Sequence, residues 1–402
     1  MKRKVKTAAM LLLAALVFCL AACGEKKPKD NSAKYGAPVE FEGPPHEVSV
    51  MFVNVGKADC AVVMVDGHTW LVDTGTEESF IKTFAALKLL GAETIDGVIL
   101  SHGHSDHSGG LAPISESFPI GRVCYPGYLI DRDRIASMIA DLGLVGAAVS
   151  VGDRIGVTEG VSFLALAPLT LNVNDDNDNS LVLMLEVNGR RCLFTGDMQF
   201  AEDGELVASG ADISCDVLKV PNHGNPDAVS EAFANAAKPL ISVTSTDTGV
   251  DANSANRRVL AKLGMSDNFI TENYGMGVLV TVSPRGEIAL TFPEQPEAAK
   301  TGLSVSEADK PGQFLTIKNE GAEAADISGW FVYSSKGFET FRFPNGTVVP
   351  AGGSITVACK NSAAAQYADL IWNKKKIFAD KKEDSAVLCD PFGNEISRLI
   401  SQ

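Results

Sequence analysis

The chain has 402 residues, more than one compact domain usually holds, with 45% hydrophobic and 21% charged side chains. That composition excludes a mainly disordered, collagen-like or many-span membrane chain. The formal charge of −15 argues against a protein that grips a nucleic-acid duplex tightly, because such a grip draws on Lys and Arg neutralising phosphates.

Residues 1–22 read as an export signal. Lys2, Arg3, Lys4 and Lys6 precede an apolar run, Ala8 to Leu20, that is too short for a comfortable membrane span. The run ends in Leu20-Ala21-Ala22-Cys23, which resembles the bacterial lipobox, where the Cys is acylated and becomes the new N-terminus; the other reading is a plain secretory signal cut near Ala22. Without this segment the chain carries 31 basic and 50 acidic residues, a net −19. Residues 23–45 are rich in Lys, Pro, Gly and small polar side chains and cannot bury a core, so they read as a flexible tether with a reach of about 25 Å.

From Glu47 onward, short apolar runs predict strands at 48–55, 60–65 and 68–75, with a turn at Gly67. Phe80, Phe84, Leu87 and Leu90 have helical spacing and Gly91 stops them. A strand at 97–101 then delivers the chain into a Gly- and His-rich loop. Further strands are predicted at 161–167, 181–187, 190–195, 215–220, 239–244, 277–283 and 287–292, and helices near 130–142, 199–209, 226–237 and 253–263. The order is mixed α/β without regular βαβ alternation, which fits helices outside packed sheets better than a doubly wound parallel sheet. The texture changes near residue 293. A hydrolase-like domain is expected over 46–293, a Pro- and Ala-bearing linker over 294–300 and a small β-sandwich over 301–402. Residues 301–402 carry 11 basic and 12 acidic side chains, so the excess acid lies in residues 23–300, at −18.

Cys60, Cys124, Cys192 and Cys215 lie in or beside apolar runs and read as buried thiols, whereas the pairing of Cys359 with Cys389 stays open. Three of the six histidines crowd into one hexapeptide. In Ser101-His102-Gly103-His104-Ser105-Asp106-His107, three imidazoles and a carboxylate sit on a short loop after a strand, a donor mixture suited to zinc, manganese or iron. His46 and His68 read as exposed turn residues, and Lys57 and Lys219 as solvated lysines near the metal motifs.

HGHSDH resembles the HxHxDH signature of the metallo-β-lactamase fold superfamily, an αββα sandwich, and the other markers follow in order. The resemblance implies that His102 and His104 bind one metal, that Asp106, His107 and His223 bind a second, that Asp197 bridges the two, and that Asp73 supports the site. Asp106 and Asp197 become the candidate catalytic carboxylates, and the cofactor two divalent ions, zinc or manganese. Within the superfamily, MFVNVGKADC, NDNSLVLMLEVNGRRCLFTGD and DVLKVPNHGN resemble the hydrolase domain of the ComEC family of DNA-uptake channel proteins, which implies attack on a phosphodiester by a metal-bound hydroxide. Residues 301–402, through SGW and FRFPNGTVVPAGG, resemble the immunoglobulin-like lamin-tail domain, with Trp330 in its core.

Three departures stand out. No histidine lies between His107 and His223, so the usual third imidazole of the first site is missing; Asp176, Asn177, Asp178 or Asn179 is the candidate stand-in, an oxygen donor that favours a harder metal such as manganese, and the other reading of this run is a polar turn before a strand. Asn222 precedes His223 where relatives often carry a second histidine, and the family's DVGQGD is NVGKAD, Asn54 to Asp59. The expectation is a lipid-anchored extracytoplasmic binuclear metallohydrolase acting on phosphodiesters or another small anionic substrate. The alternatives are a lactone, lactam or ester hydrolase, or a non-catalytic scaffold with a degenerate metal site and a cell-surface partner for the C-terminal domain. Lys374–Lys376, Lys381 and Lys382 form a basic run whose default reading is a solvated loop.

Overall fold

The computed structural model describes residues 35–379 and 382–402. The export signal, Cys23, the first part of the tether and Lys381 lie outside the described residues. No helix among the described residues is long and apolar enough to cross a membrane.

The N-terminal domain begins with the antiparallel strands β1 (Val48–Val53), β2 (Ala61–Val65) and β3 (His68–Val72), followed by α1 (Phe80–Leu90). Next come β4 (Gly97–Ile99), the short α2 (Ser105–Ser108), α3 (Leu111–Ser117), β5 (Val123–Pro126), α4 (Arg132–Asp141) and β6 (Gly146–Val149). The second half runs through β7 (Arg154–Thr158), β8 (Val161–Ala167), β9 (Val182–Val187), β10 (Arg190–Phe194), α5 (Phe200–Ala208) and β11 (Val217–Lys219). It closes with α6 (Glu231–Ala237), β12 (Ile241–Thr244), α7 (Arg257–Lys262), β13 (Asp267–Ile270), β14 (Gly277–Val282) and β15 (Ile288–Thr291).

Two sheets result, ordered β15-β14-β1-β2-β3-β4-β5-β6 and β13-β12-β11-β10-β9-β8-β7. β3 to β6 run parallel, as do β10 to β13, and the other pairings are antiparallel. Alternating side chains explain the layering. Val50, Phe52, Val63, Trp70 and Val72 of the first sheet meet Phe163, Leu183, Leu185 and Phe194 of the second in one buried core. The opposite faces are covered by helices: Phe84 and Leu87 of α1, Ile114 of α3 and Ile135 of α4 on the first sheet, Leu206, Phe233 and Val259 on the second. This is the expected αββα sandwich. Gly91 ends α1 in a left-handed conformation, φ 74°. The helix predicted over 226–237 begins at Glu231, because the Ser230 side chain caps it by accepting from the Phe233 N–H.

The C-terminal domain is all β: β16 (Leu303–Asp309), β17 (Phe314–Asn319), β18 (Ala325–Asp326), β19 (Phe331–Ser334), β20 (Thr340–Arg342), β21 (Val348–Val349), β22 (Ser354–Cys359), β23 (Leu370–Trp372), β24 (Ser385–Cys389) and β25 (Glu395–Ile400). Sheets β16-β17-β22-β23 and β20-β19-β24-β25 enclose a core with Trp330, Val332, Phe343 and Phe378. The other face of β19 and β24 packs on the first domain, where Phe331, Tyr333, Val387 and Cys389 join the apolar cluster under α1. Phe84 lies 5.0 Å from Phe331, Thr340 Oγ1 donates to the Pro113 carbonyl at 2.8 Å, and Lys374 pairs with Glu116. Lys374 is therefore an interface residue and not part of a solvated basic loop.

The six described cysteines are buried and unbridged, so Cys359 and Cys389 do not pair. Burial pushes the Cys60 and Cys192 thiols up to about 12, which keeps them protonated. His46, expected to be exposed, is 7% accessible and lies 2.7 Å from an Asp66 carboxylate oxygen; a neighbouring acid compensates its burial.

Candidate metal centre

The parallel strands of both sheets end at the same rim, where an open α/β sheet ordinarily presents its ligand-binding loops. β3 hands the chain to Asp73, β4 to the 101–107 loop, β10 to Thr195-Gly196-Asp197, β11 to Val220–Gly224 and β12 to Ser245. Gly196 is in the left-handed region, and a Cβ there would lie 2.7 Å from both Ser101 Cβ and Ser180 Oγ; only glycine lets Asp197 approach the histidine loop this closely. Asn222, His223 and Gly224 take left-handed φ of 41°, 51° and 71° in succession, and Asp73 one of 59°. Such backbone is costly for non-glycine residues and here sits at the loops that aim the side chains.

The imidazoles are held by one nitrogen each. His107 Nδ1 donates to Asp73 at 2.9 Å, and Asp73 also accepts from the Ser101 N–H at 2.7 Å and the Ser101 hydroxyl at 2.8 Å. His223 Nδ1 lies 2.7 Å from the Ser245 carbonyl, which only accepts, so the proton is on Nδ1. Both rings therefore turn Nε2 inward. His223 Nε2 lies 3.1 Å from Asp197 Oδ2 and 3.4 Å from Asp106 Oδ2, and His107 Nε2 lies 3.2 Å from Asp197 Oδ2. Asp106, His107, Asp197 and His223 each offer a donor atom, all within 4.8 Å of one another. His107 Nε2, His223 Nε2 and Asp197 Oδ1 are buried without a hydrogen-bond partner. Buried polar atoms left in this state are costly unless something polar joins them, and two imidazole nitrogens with two carboxylates suit a divalent cation. The residues present fit a metal.

Beside this group, His102 Nε2 and His104 Nδ1 approach to 3.0 Å, close to the separation of about 3.3 Å for two tetrahedral ligands at 2.0–2.1 Å from one ion. Thus the structure brings together His102, His104, Asp106, His107, Asp197 and His223, with Asp73 behind His107. Asp176 and Asp178 are elsewhere engaged. Asp176 accepts from the Ile130 N–H at 2.8 Å, and Asp178 accepts from the Gln199 and Glu202 N–H groups at 3.0 and 3.1 Å, capping α5.

Burial lowers His102 well below the ordinary imidazole range, with His107 adding to the effect. Burial also opposes charge on His107 and His223, but the carboxylates win: Asp197 and Asp73 hold His107 well above the usual value, and Asp197 and Asp59 raise His223 to about 9. Asp197 is conversely held well below the carboxylate range by His223 and His107 against its burial, and Asp106 is lowered by His223, His107 and Lys57. Burial raises Asp73, with His107 pulling it back.

Two participants escaped the sequence. Lys219 is 4% accessible, not solvated; it pairs with Asp59, lies 3.7 Å from Asp197 Oδ1 and donates to the Gly196 carbonyl at 3.0 Å. Asp59 belongs to the NVGKAD loop, whose replaced positions drew attention away from the carboxylate it keeps. Lys57, in the same loop, is half-buried and donates to Asp106 at 3.1 Å. An open cleft of about 710 Å³ leads to the centre past Lys57, His104, Asn177, Phe200 and Asn222.

Residues 53–246 match the model of the metallo-beta-lactamase superfamily and residues 296–401 that of the lamin tail domain. The chain joins a metallo-beta-lactamase domain to a lamin tail domain. The metallo-beta-lactamase region is 24% identical over 176 residues to ComE operon protein 3 of Bacillus subtilis (strain 168), covering 43% of this chain and 23% of that protein. It is 27% identical over 205 residues to the competence protein ComA of Neisseria gonorrhoeae, covering 50% and 28%. The chain thus spans about a quarter of the length of these relatives, which agree with the resemblance to the ComEC family. Among solved structures it is similar to the metallo-beta-lactamase fold protein YhfI from Bacillus subtilis, with TM-score 0.41 and 11% identity over 58% of this chain and 99% of that one.

Proposed function

We propose that the metallo-beta-lactamase domain is a binuclear metallohydrolase that cleaves phosphodiesters. The observation that carries this is the convergence of Asp106, His107, Asp197 and His223, two of whose imidazoles have their outer nitrogens fixed so that Nε2 is free. His102 and His104 would hold a first cation, Asp106, His107 and His223 a second, and Asp197 both. A bound pair of divalent ions, zinc or manganese, supplies Lewis acidity that activates water and stabilises charge on the departing oxygen. Around it, Asp73 and Ser245 orient the imidazoles, Lys219 neutralises Asp59 behind Asp197, and Lys57 offers a cation at the mouth to an anionic substrate. The competence relatives favour a phosphodiester over a lactam. The −18 of residues 23–300 favours a small phosphodiester or a transiently held strand over a tightly bound duplex. We further propose a lipid anchor at Cys23, an extracytoplasmic location on a bacterial membrane, and a cell-surface partner for the lamin tail domain.

The test is metal analysis of purified protein followed by turnover of bis-p-nitrophenyl phosphate and of a chromogenic lactam by the wild type, His104→Ala and Asp197→Ala. About two metal equivalents and phosphodiester turnover lost in both variants are expected. Equal background rates in all three proteins refute the hydrolase, and preferential lactam turnover moves the substrate class.

A further inference from the structure

His102 and His104 are two donors where a stable site for a divalent cation needs at least a third, and none of the other described histidines is left to supply it: His107 and His223 belong to the neighbouring set, while His46 and His68 pair with Asp66 and Asp96. The turn at residues 174–180 lies against this gap. Leu181 N–H donates to the Ser101 carbonyl at 2.8 Å, and Ser180 Oγ accepts from the Asp197 N–H at 2.9 Å, so the turn is tied to both the histidine loop and the Asp197 loop.

Within the turn Asp175, Asp176, Asp178 and Asn179 each commit a side-chain oxygen to hydrogen bonds that shape it. Asp175 accepts from the Asn177 N–H at 3.0 Å. Asp176 accepts from Ile130 and from Asn179 Nδ2, and Asp178 from Gln199, Glu202 and Asn172 Nδ2. Asn179 Oδ1 accepts from the Asn172 N–H at 2.7 Å. Asn177 supplies the one oxygen of the turn that is both buried and unpartnered. Its Oδ1 is buried and has no hydrogen-bond partner, and its side chain lines the cleft together with His104, Asp106 and Asp197. A buried carbonyl oxygen without a donor loses the free energy of its hydration, and native proteins seldom leave one so unless a ligand or ion completes it. The neighbouring bonds, from Asp175 at one end to Asp178 and Asn179 at the other, hold Asn177 beside His104 in the lining of the cleft.

We propose that Asn177 Oδ1 is the third protein donor to the cation held by His102 and His104, replacing an imidazole. This rests on the binuclear reading above and narrows the four-residue choice left by the sequence to one atom. Two imidazoles and a neutral amide oxygen form a harder donor set than three imidazoles, so this site takes manganese more readily relative to zinc than a three-histidine site does.

The experiment compares full-length wild type, Asn177→Ala, Asn177→Asp and Asn177→His. Metal-stripped proteins are titrated with zinc and with manganese against a chromophoric chelator, metal content is counted by elemental analysis, and cobalt(II) absorption spectra are recorded. Outer partners of metal ligands are worth roughly 10–100-fold in affinity, so a lost direct donor should cost at least about tenfold. Asn177→Ala should keep one tight equivalent and lose the other by that factor. Asn177→Asp, which keeps the oxygen and the shape, should keep both, and Asn177→His should raise the zinc-over-manganese preference and change the cobalt spectrum. Two equivalents of unchanged affinity in Asn177→Ala overturn this inference while leaving the binuclear reading in place, as does loss of an equivalent from Asn177→Asp. No metal in the wild type overturns both.

Discussion

Replacing Lys219 by Met tests the interior electrostatics of the centre. Its ammonium is buried between Asp59 and Asp197, and the Asp59 carboxylate, 3% accessible, accepts no hydrogen bond from any other described group. Burial opposes the charge on Lys219, but Asp59 and Asp197 outweigh it and hold the lysine above its ordinary value, so the ammonium stays charged at neutral pH. Removing one partner of such a pair leaves the buried Asp59 carboxylate with only the His107 and His223 rings, each 3.7 Å away and making no hydrogen bond to it, at a cost of up to about 3–5 kcal/mol. Lys219→Met should lose that much in guanidinium unfolding of the metal-stripped protein, followed by circular dichroism. Asp59→Asn should lose less, because Asp197 and the Gly196 carbonyl still face the ammonium. The double variant, with neither charge of the Lys219–Asp59 pair left, should recover part of the loss, giving a coupling of more than about 1 kcal/mol. A Lys219→Met protein as stable as the parent, or a double variant whose loss equals the sum of the single ones, refutes the argument.

Phe331→Ala removes a ring 1% accessible and 5.0 Å from Phe84 across the domain interface, so stability should fall by about 3–5 kcal/mol. Calorimetry should then resolve two transitions where the parent has one; a single unshifted transition counts against an integral interface. Burial and the nearby Asp178 hold the Glu202 carboxyl well above its ordinary value. The folded state therefore retains a proton that the unfolded chain releases above about pH 4.5, and stability is lost as pH rises from there toward the folded value. Glu202→Gln should flatten that slope between pH 5 and 8, and parallel profiles of the two proteins refute the assignment. Lys57→Ala should raise KM for an anionic substrate more than it lowers kcat and weaken the salt dependence of kcat/KM; an unchanged KM removes Lys57 from substrate contact.

The histidine loop was legible because its chemistry is local: three imidazoles and a carboxylate within six residues leave few other readings. Asp197 and His223 became legible through the family resemblance, since nothing in their own neighbourhoods fixes a partner. Lys219 was not, because its burial depends on Asp59, which lies 160 positions earlier in the chain. His46 is hidden from sequence reading for the same reason: two prolines before it suggest an exposed turn, but Asp66, just after β2, receives its ring. The strands β6 and β13, with sequences GAAV and DNFI, carry too little β-branched or aromatic surface to announce themselves, and parallel pairing with β5 and β12 makes them strands. The turn at 174–180 reads as a polar loop because each of its side chains suits a turn. Only the hydrogen-bond pattern distinguishes the one left over.

The charge of the centre bears on how an acidic domain can handle an anion. Asp59, Asp73, Asp106 and Asp197 bring four carboxylates to the centre, against the ammonium groups of Lys219 and Lys57. Counted at their formal charges, with the imidazoles neutral as ligands, these groups sum to −2, which attracts divalent cations. Two divalent ions in the site would reverse its sign to +2. An anion that reaches the cleft then meets a positive centre a few ångströms away, whereas the repulsion of the surrounding acidic surface is screened over about 8 Å at physiological salt. A single phosphodiester group engages mostly the first of these fields. A long duplex must lie along the second as well, and each added phosphate meets more repulsion without reaching either metal. On the proposed binuclear reading, the same four carboxylates that make the domain acidic at its centre would favour metal first and, with metal bound, small or single-stranded anions over extended ones.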